Sequence, residues 1–241
     1  MKRIALSWRV PVPAVMLVLL GCSADLTLPG STAPGLAVSV LQGDGQVGTV
    51  GEELPDPVIV EVKTDGGQAM ADRRVAFVAA QGAGAGGFEP DTAVTDSKGQ
   101  ALTRWVLGTA VGVYTAEARL VPDGESALPT VPLQATADPG DPDTVRAIGP
   151  TIQPGSRGEA LPEPLAVLAV DRFGNPVAGA EVKWEASSGN GELSAETTLT
   201  GPDGTTSVIW TLGNRVGVQR ATAKVDHADG SPVTFTATVL F

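Results

Sequence analysis

The sequence feature that most constrains the fold is an internal repeat of roughly 100 residues. Residues 54–77 and 161–184 share a Leu-Pro-acid-Pro start, alternating apolar positions and a final aromatic residue, and Leu54 corresponds to Leu161, 107 positions later. A second block, residues 99–112, recurs at 204–217, and both copies contain Trp-x-Leu-Gly. One module is therefore built twice in the 241 residues, and each copy is long enough to bury its own core.

The alternation of apolar and polar residues predicts β-strands in both copies. Val58, Val60 and Val62 give one inward face, and Val182 and Trp184 give another. No stretch has a helical period, and the turn-forming residues Gly and Pro are abundant. We therefore predict an all-β protein with two tandem β-sandwiches. Their expected bounds are residues 36–137 and residues 144–241, joined by a linker of residues 138–143 whose two prolines limit swinging.

The N-terminus has the order of a secretory signal peptide. Lys2, Arg3 and Arg9 precede the apolar run of residues 10–20, which is too short to span a membrane, and the small residue Gly21 and then Cys22 follow it. The segment resembles a bacterial lipoprotein lipobox. That resemblance implies cleavage after residue 21 and a covalent lipid on Cys22, the only cysteine, and Ser23 behind it implies sorting to the outer membrane. Residues 22–35 are predicted to form a flexible tether.

Residues 171–184 and 210–217 carry a more specific pattern, Asp-x-x-Gly-Asn-Pro-Val-Ala-Gly followed by Val-x-Trp and Trp-Thr-Leu-Gly. The pattern resembles the bacterial immunoglobulin-like domain of group 1, the module of invasin and intimin adhesins. The resemblance implies a β-sandwich used as a surface stalk or adhesion module. Copy one departs from it at residues 66–71; we expect the fold to survive, and the conformation of that loop stays open. The receptor-binding tip of the family has no counterpart here, so receptor binding is not carried over.

Charge and residue chemistry exclude several functions. A net charge of −11 argues against nucleic acid and against an anionic membrane surface, so we expect contact with the membrane only through the lipid. His227 is the only histidine and falls in a predicted turn, and no nucleophile elbow, phosphate loop or zinc set occurs. We expect a monomer with no catalytic residue, no enzymatic activity and no disulfide.

The linker offers the best candidate for a metal. Asp138, Asp141 and Asp143 supply carboxylates for Ca²⁺, with Glu159 or Glu163 as a further ligand. Their spacing fits no EF-hand loop, and aspartate is common in solvated turns. We therefore predict no metal and no cofactor beyond the lipid, and keep calcium as the alternative.

Whether the tryptophans are exposed or buried distinguishes a glycan-binding module from a module without an aromatic platform. Exposed on a sheet, Trp184 or Trp210 would stack on sugar rings, whereas the alternation places both on inward faces. We therefore expect a lipid-anchored envelope protein that acts as a surface spacer, adhesion or protein-interaction module, and whether its partner is a protein or a glycan stays open. A module that binds cell-wall glycan or exopolysaccharide is the alternative.

Overall fold

The strands of the chain are described from a computed structural model that covers residues 35–80, 86–121 and 129–240. These residues all belong to one compact unit, Pro34–Phe241. Every regular element among them is a β-strand, which confirms the all-β prediction. The same residues contain no helix long and apolar enough to cross a membrane. The predicted signal peptide, Cys22 and nearly all of the tether lie outside the described residues.

The first sandwich, called sandwich 1 below, consists of two sheets. Its strands are β1 (Leu36–Gln42), β2 (Gln46–Thr49), β3 (Val58–Thr64), β4 (Arg74–Ala79), β5 (Gly87–Glu89), β6 (Thr92–Val94), β7 (Gln100–Val106), β8 (Gly112–Leu120) and β9 (Thr130–Asp138). One sheet has the order β1-β3-β7-β5 and the other the order β2-β9-β8-β4-β6. All pairs are antiparallel except β2 with β9, which are parallel.

The second sandwich, sandwich 2, repeats this arrangement. Its strands are β10 (Thr144–Ile148), β11 (Ile152–Gly155), β12 (Leu165–Val170), β13 (Glu181–Ala186), β14 (Glu192–Leu193), β15 (Thr197–Leu199), β16 (Thr205–Val208), β17 (Trp210–Thr211), β18 (Gly217–Lys224) and β19 (Val233–Val239). The sheet orders are β10-β12-β16 and β11-β19-β18-β13-β15, with β14 paired to β17. Strands β11 and β19 are again the parallel pair.

Each sandwich has its own hydrophobic core, which forms because alternate residues of facing strands point inward. Val58, Val60 and Val62 are fully buried, as the alternation predicted. Small alanines on β8 and β18 leave room for the large residues opposite, which include Phe77 and Trp184.

The three tryptophans of the sandwiches are core residues. Trp105 and Trp210 are 0 % exposed and Trp184 is 4 % exposed, which confirms that the indoles face inward. The Trp210 Nε1 group donates a 2.8 Å hydrogen bond to the carbonyl oxygen of Asn190, and Trp184 Nε1 donates to Thr198 Oγ1 over 2.8 Å. These indoles therefore provide no exposed aromatic platform for a sugar ring.

Candidate functional site: the junction of the sandwiches

Two equivalent loops come at the end of the third strand of each sandwich. Loop 1 is residues 64–69 and begins at the last residue of β3, and loop 2 is residues 171–176, directly after β12. In loop 2 the Asp171 amide donates to Asn175 O and the Gly174 amide donates to Asp171 O, each over 2.9 Å. Gly174 adopts φ +87°, which glycine allows at no steric cost. The loop is thus a tight, hydrogen-bonded turn.

Asp171 organises loop 2 and connects it to the linker. This residue is 2 % exposed, and its carboxylate accepts hydrogen bonds from the Phe173 and Asn175 amides over 2.9 Å. The Gly140 amide of the linker donates to Asp171 Oδ2 over 3.1 Å. Burial raises the pKa of Asp171, but the hydrogen bonds from Asn175, Gly140 and Phe173 outweigh it and hold the pKa below its ordinary value. The carboxylate therefore stays charged and keeps the loop and the linker together.

Asn175 connects loop 2 to sandwich 1 by hydrogen bonds. Its Nδ2 group donates to the carbonyl oxygen of Thr109 over 2.9 Å, and its Oδ1 accepts from the Val111 amide over 3.4 Å. The same Nδ2 group donates to Asp171 Oδ2 over 2.9 Å, which fixes the side chain. One amide side chain therefore contacts a donor and an acceptor on the backbone of the other sandwich.

Phe173 and Arg172 complete the contact. A Cβ atom added at Gly51 would lie 2.7 Å from the Phe173 ring, so the ring rests directly on the Gly51 backbone. The Arg172 guanidinium lies 4.7 Å from the centroid of that ring and 3.9 Å from Glu52. Both charged partners are largely exposed, so this ion pair contributes little to stability. The junction thus combines packing of the Phe173 ring on Gly51 with the two hydrogen bonds of the Asn175 side chain.

Loop 1 has the same backbone and different side chains. The Thr64 amide donates to Gln68 O over 2.9 Å and the Gly67 amide donates to Thr64 O over 2.8 Å, which matches loop 2 bond for bond. Gly67 has φ +80°. However, Asp171, Phe173 and Asn175 are replaced by Thr64, Gly66 and Gln68. Departure from the family pattern therefore leaves the turn intact and removes the side chains that contact another sandwich.

The predicted calcium ligands line the groove beside this junction. Asp138, Asp141 and Asp143 border an open groove of about 830 Å³, together with Asp171 and Arg172. Among the described residues, no three acidic, histidine or cysteine side chains come close enough to hold a metal ion. Asp143 Oδ2 instead accepts from the Thr144 hydroxyl over 3.3 Å. Calcium binding stays the untested alternative to the prediction of no metal.

His227 lies in the predicted turn between β18 and β19. It is exposed and has φ +64°, a conformation that few non-glycine residues adopt. The neighbouring Asp226 accepts from Lys183 Nζ over 2.8 Å and pairs with Lys224 Nζ at 2.9 Å. The Lys183 bond, with that of Lys224, lowers the pKa of Asp226 to about 2. The position is that of a solvated surface turn.

The sequence predicts the turn of loop 2 but not its role at the junction. The receiving residues of sandwich 1, Gly51, Glu52, Thr109 and Val111, were not predicted either. The difference between the two copies of the repeat contains a signal for the docking residues. Only the loop that follows another sandwich carries Phe and Asn, whereas the described part of the chain has no sandwich before loop 1.

The fold and the junction define a tandem immunoglobulin-like β-sandwich protein. Residues 162–239 match the family model of the bacterial Ig-like domain (group 1). The matched segment covers sandwich 2 from β12 to β19, and the match confirms the resemblance that the motif of this copy predicted. No curated protein sequence matches the chain.

Several of the solved structures to which this chain is similar come from bacterial surface proteins. The Escherichia coli adhesin FdeC is 18 % identical with a TM-score of 0.53, over 84 % of this chain and 64 % of FdeC. Invasin, a bacterial integrin-binding protein, is 24 % identical with a TM-score of 0.36, over 85 % and 39 %. The D0-D1 segment of intimin is 20 % identical with a TM-score of 0.30, over 84 % and 94 %. The chain thus spans less than two thirds of the FdeC structure, and the FdeC comparison supports the shared fold alone.

Proposed function

We propose that this chain is a non-enzymatic, lipid-anchored protein of the bacterial cell envelope whose two sandwiches form a short stalk for adhesion or protein interaction. In this proposal Cys22 carries the lipid, residues 22–35 form the tether, and the sandwiches stand away from the membrane. Several acyl chains on one residue hold a protein to a bilayer far more firmly than a single chain does. The chain itself is acidic, so the lipid provides the attachment.

The observation that carries the stalk proposal is the contact of loop 2 with sandwich 1. A stalk must keep its modules in a defined orientation, and a flexible linker alone does not do this. Here Asn175 contacts Thr109 and Val111, and Asp171 holds the linker at Gly140. These contacts join the linker, the loop and the receiving turn in one hydrogen-bonded network.

The adhesion part of the proposal draws on the kind of protein that shares this fold. FdeC is described as an adhesin, and we extend that role to this chain as a hypothesis. Sheet edges and loops are the surfaces that sandwiches of this kind offer to partners. The glycan alternative depended on exposed tryptophans, and Trp184 and Trp210 are core residues, so we favour a protein partner.

One experiment measures both the lipid on Cys22 and the location of the sandwiches. Radiolabelled palmitate is supplied to a bacterial host that expresses wild type, Cys22→Ala or Ser23→Ala, with and without globomycin, and intact cells are then treated with protease. We expect globomycin-sensitive label in wild type and in Ser23→Ala, no label in Cys22→Ala, and cleavage from outside the cell.

Each part of the proposal fails separately in this design. Absence of label from wild type would overturn the lipid anchor. Label with full protection from protease would overturn the surface location and place the sandwiches in the periplasm. Since Ser23→Ala keeps Cys22 and changes only its neighbour, it controls for general damage to export.

A further inference from the structure

A tyrosine side chain holds the turn of sandwich 1 that contacts Asn175. This receiving turn is residues 108–112, between β7 and the first residue of β8, and Tyr114 lies on β8. The Tyr114 hydroxyl donates a hydrogen bond to Ala110 O over 2.7 Å, and the Ala110 amide donates to that hydroxyl over 3.2 Å. Both backbone polar groups of Ala110 are therefore bonded to one hydroxyl group.

Ala110 lies between the two backbone groups that contact loop 2. Asn175 Nδ2 donates to Thr109 O over 2.9 Å, and the Val111 amide donates to Asn175 Oδ1 over 3.4 Å. Thr109 O belongs to the same peptide unit as the Ala110 amide, called the first unit below. The Val111 amide belongs to the same peptide unit as Ala110 O, called the second unit. Tyr114 and Asn175 therefore bind the same two peptide units.

The planarity of the peptide bond connects these contacts. In a trans peptide unit the C=O and N–H groups lie in one plane and point in opposite directions. Tyr114 binds the N–H of the first unit and the C=O of the second, so the C=O of the first and the N–H of the second point away from it. These are the two groups that bind Asn175. The hydroxyl thus determines the orientation of one acceptor and one donor on the opposite side of the turn.

Sandwich 2 holds the equivalent turn with a different side chain. Gln219 replaces Tyr114, and Arg215 replaces Ala110. Gln219 Nε2 donates to Arg215 O over 2.7 Å and to Gly213 O over 3.0 Å, and its Oε1 accepts from the Gly213 amide over 2.9 Å. Glutamine therefore binds the second unit and, in place of the first, the backbone of Gly213. Tyrosine differs from glutamine in that its one hydroxyl binds both units.

We propose that Tyr114 is a positioning residue of the junction, whose hydroxyl orients Thr109 O and the Val111 amide toward loop 2 before the loop binds. A tyrosine that bonds back to the backbone a few residues upstream is a feature of immunoglobulin-like sandwiches. Here that bond also acts on the neighbouring sandwich, because groups that are fixed in advance lose less conformational freedom on binding. The inference rests on the proposed stalk, in which the two sandwiches keep one orientation.

The first test compares two variants that each lose one hydroxyl group. Tyr114→Phe removes one donated and one accepted hydrogen bond at the receiving turn. Thr95→Val is the matched control in the same sandwich, because the Thr95 hydroxyl donates to Met70 O over 2.6 Å and accepts from the Arg73 amide over 2.9 Å. Residual dipolar couplings are measured for each sandwich in ¹⁵N-labelled protein that begins at Ser23.

The couplings report whether both sandwiches share one alignment tensor. We expect one tensor in wild type and in Thr95→Val, and tensors of different magnitude in Tyr114→Phe, because the sandwiches then move relative to each other. One tensor in Tyr114→Phe, or separate tensors in Thr95→Val, would overturn the role of Tyr114. Separate tensors in wild type would overturn the stalk itself, so the two failures are distinguishable.

Tyr114→Gln tests the same claim with a residue that the repeat already accepts at this position. In sandwich 2 glutamine binds the second unit and leaves the orientation of the first to other contacts. We therefore expect Tyr114→Gln to fold and to give separate tensors for the two sandwiches. A single tensor in this variant would contradict the requirement for a group that binds both units.

The second test leaves Tyr114 unchanged and removes the loop contact. In Asn175→Ala the Val111 amide loses its partner, whereas the Ala110 amide keeps its bond to the Tyr114 hydroxyl. We expect hydrogen exchange of the Val111 amide to become about tenfold faster, as for the loss of one hydrogen bond, and that of the Ala110 amide to stay close to the wild-type rate. Equal acceleration at both amides would show that loop 2 holds the turn and would overturn the proposal.

Discussion

Loop 1 and loop 2 have one backbone and two sets of side chains, and this comparison separates folding from docking. Both turns close with the same pair of backbone hydrogen bonds and a glycine near φ +80°. Loop 2 adds Asp171, Phe173 and Asn175, of which the last two contact sandwich 1 directly. The two sandwiches thus share the backbone of the turn, and the docking side chains are present in the loop that contacts another sandwich.

The largest effects test whether the two cores are equivalent. Trp210→Ala and Trp105→Ala each remove a fully buried indole, and each should lower the free energy of unfolding of its own sandwich by about 3–5 kcal/mol. Urea unfolding followed by circular dichroism measures both losses.

Phenylalanine substitutions then compare the contribution of the indole Nε1 group at the two tryptophans. Trp105 Nε1 is buried and has no hydrogen-bond partner among the described residues, whereas Trp210 Nε1 donates to Asn190 O. Trp210→Phe should therefore cost about 1–2 kcal/mol more than Trp105→Phe. Equal costs would show that the Asn190 bond contributes nothing to stability.

The next effect in size concerns the residue that organises loop 2. Asp171→Ala removes the acceptor of the Phe173, Asn175 and Gly140 amides, and we expect a loss of about 3 kcal/mol from sandwich 2. Thr64→Ala is the matched change in loop 1, where the hydroxyl accepts the Gln68 amide over 3.2 Å, and it should cost about 1 kcal/mol. Comparable losses in urea unfolding would mean that both loops depend on backbone hydrogen bonds alone.

Asn175→Ala should have a smaller effect on stability and a clear effect on orientation. Removal of the contacts with Thr109 and Val111 should lower the free energy of unfolding by about 1 kcal/mol. Backbone ¹⁵N relaxation should show that the two sandwiches tumble more independently than in wild type. Gln68→Ala, the equivalent change in loop 1, should leave the relaxation of both sandwiches unchanged, and a similar change in both variants would contradict the assignment.

Protonation of Asp171 should produce the smallest effect, because a neutral carboxyl still accepts some of its hydrogen bonds. Its pKa is lowered in the folded protein, so its contribution to stability is complete above the unfolded pKa of about 3.9 and is lost as the pH falls through the lower folded value. Unfolding measured from pH 6 down to pH 2.5 should show a smaller acid-dependent loss in Asp171→Asn than in wild type. Identical pH profiles would show that Asp171 does not contribute.

Much of the fold was predictable because its causes are local. The inward positions of Val58, Val60 and Val62 on one strand, and of Val182 and Trp184 on another, follow from strand periodicity. Both patterns occur in each copy of the repeat. The sheet orders and the parallel pairing of β11 with β19 depend on contacts between distant segments, which periodicity does not contain.

The junction was not predictable in the same way, because loop 2 contributes side chains and sandwich 1 contributes mainly backbone groups. Loop 2 has a recognisable motif, whereas the receiving groups are backbone atoms of Thr109 and Val111 and the surface of Gly51. Backbone groups have no residue signature, so the receiving turn is visible only in the structure.

The central claim is that loop 2 holds the two sandwiches in one orientation, and a distance distribution between them tests it directly. Spin labels are placed at the exposed positions Arg119 and Arg220, as Arg119→Cys and Arg220→Cys, in protein that begins at Ser23 and therefore has no other cysteine. Double electron–electron resonance should give a single narrow distance distribution, and Phe173→Ala with Asn175→Ala should broaden it. A distribution that is already as broad in the labelled protein without these two changes would contradict the claim.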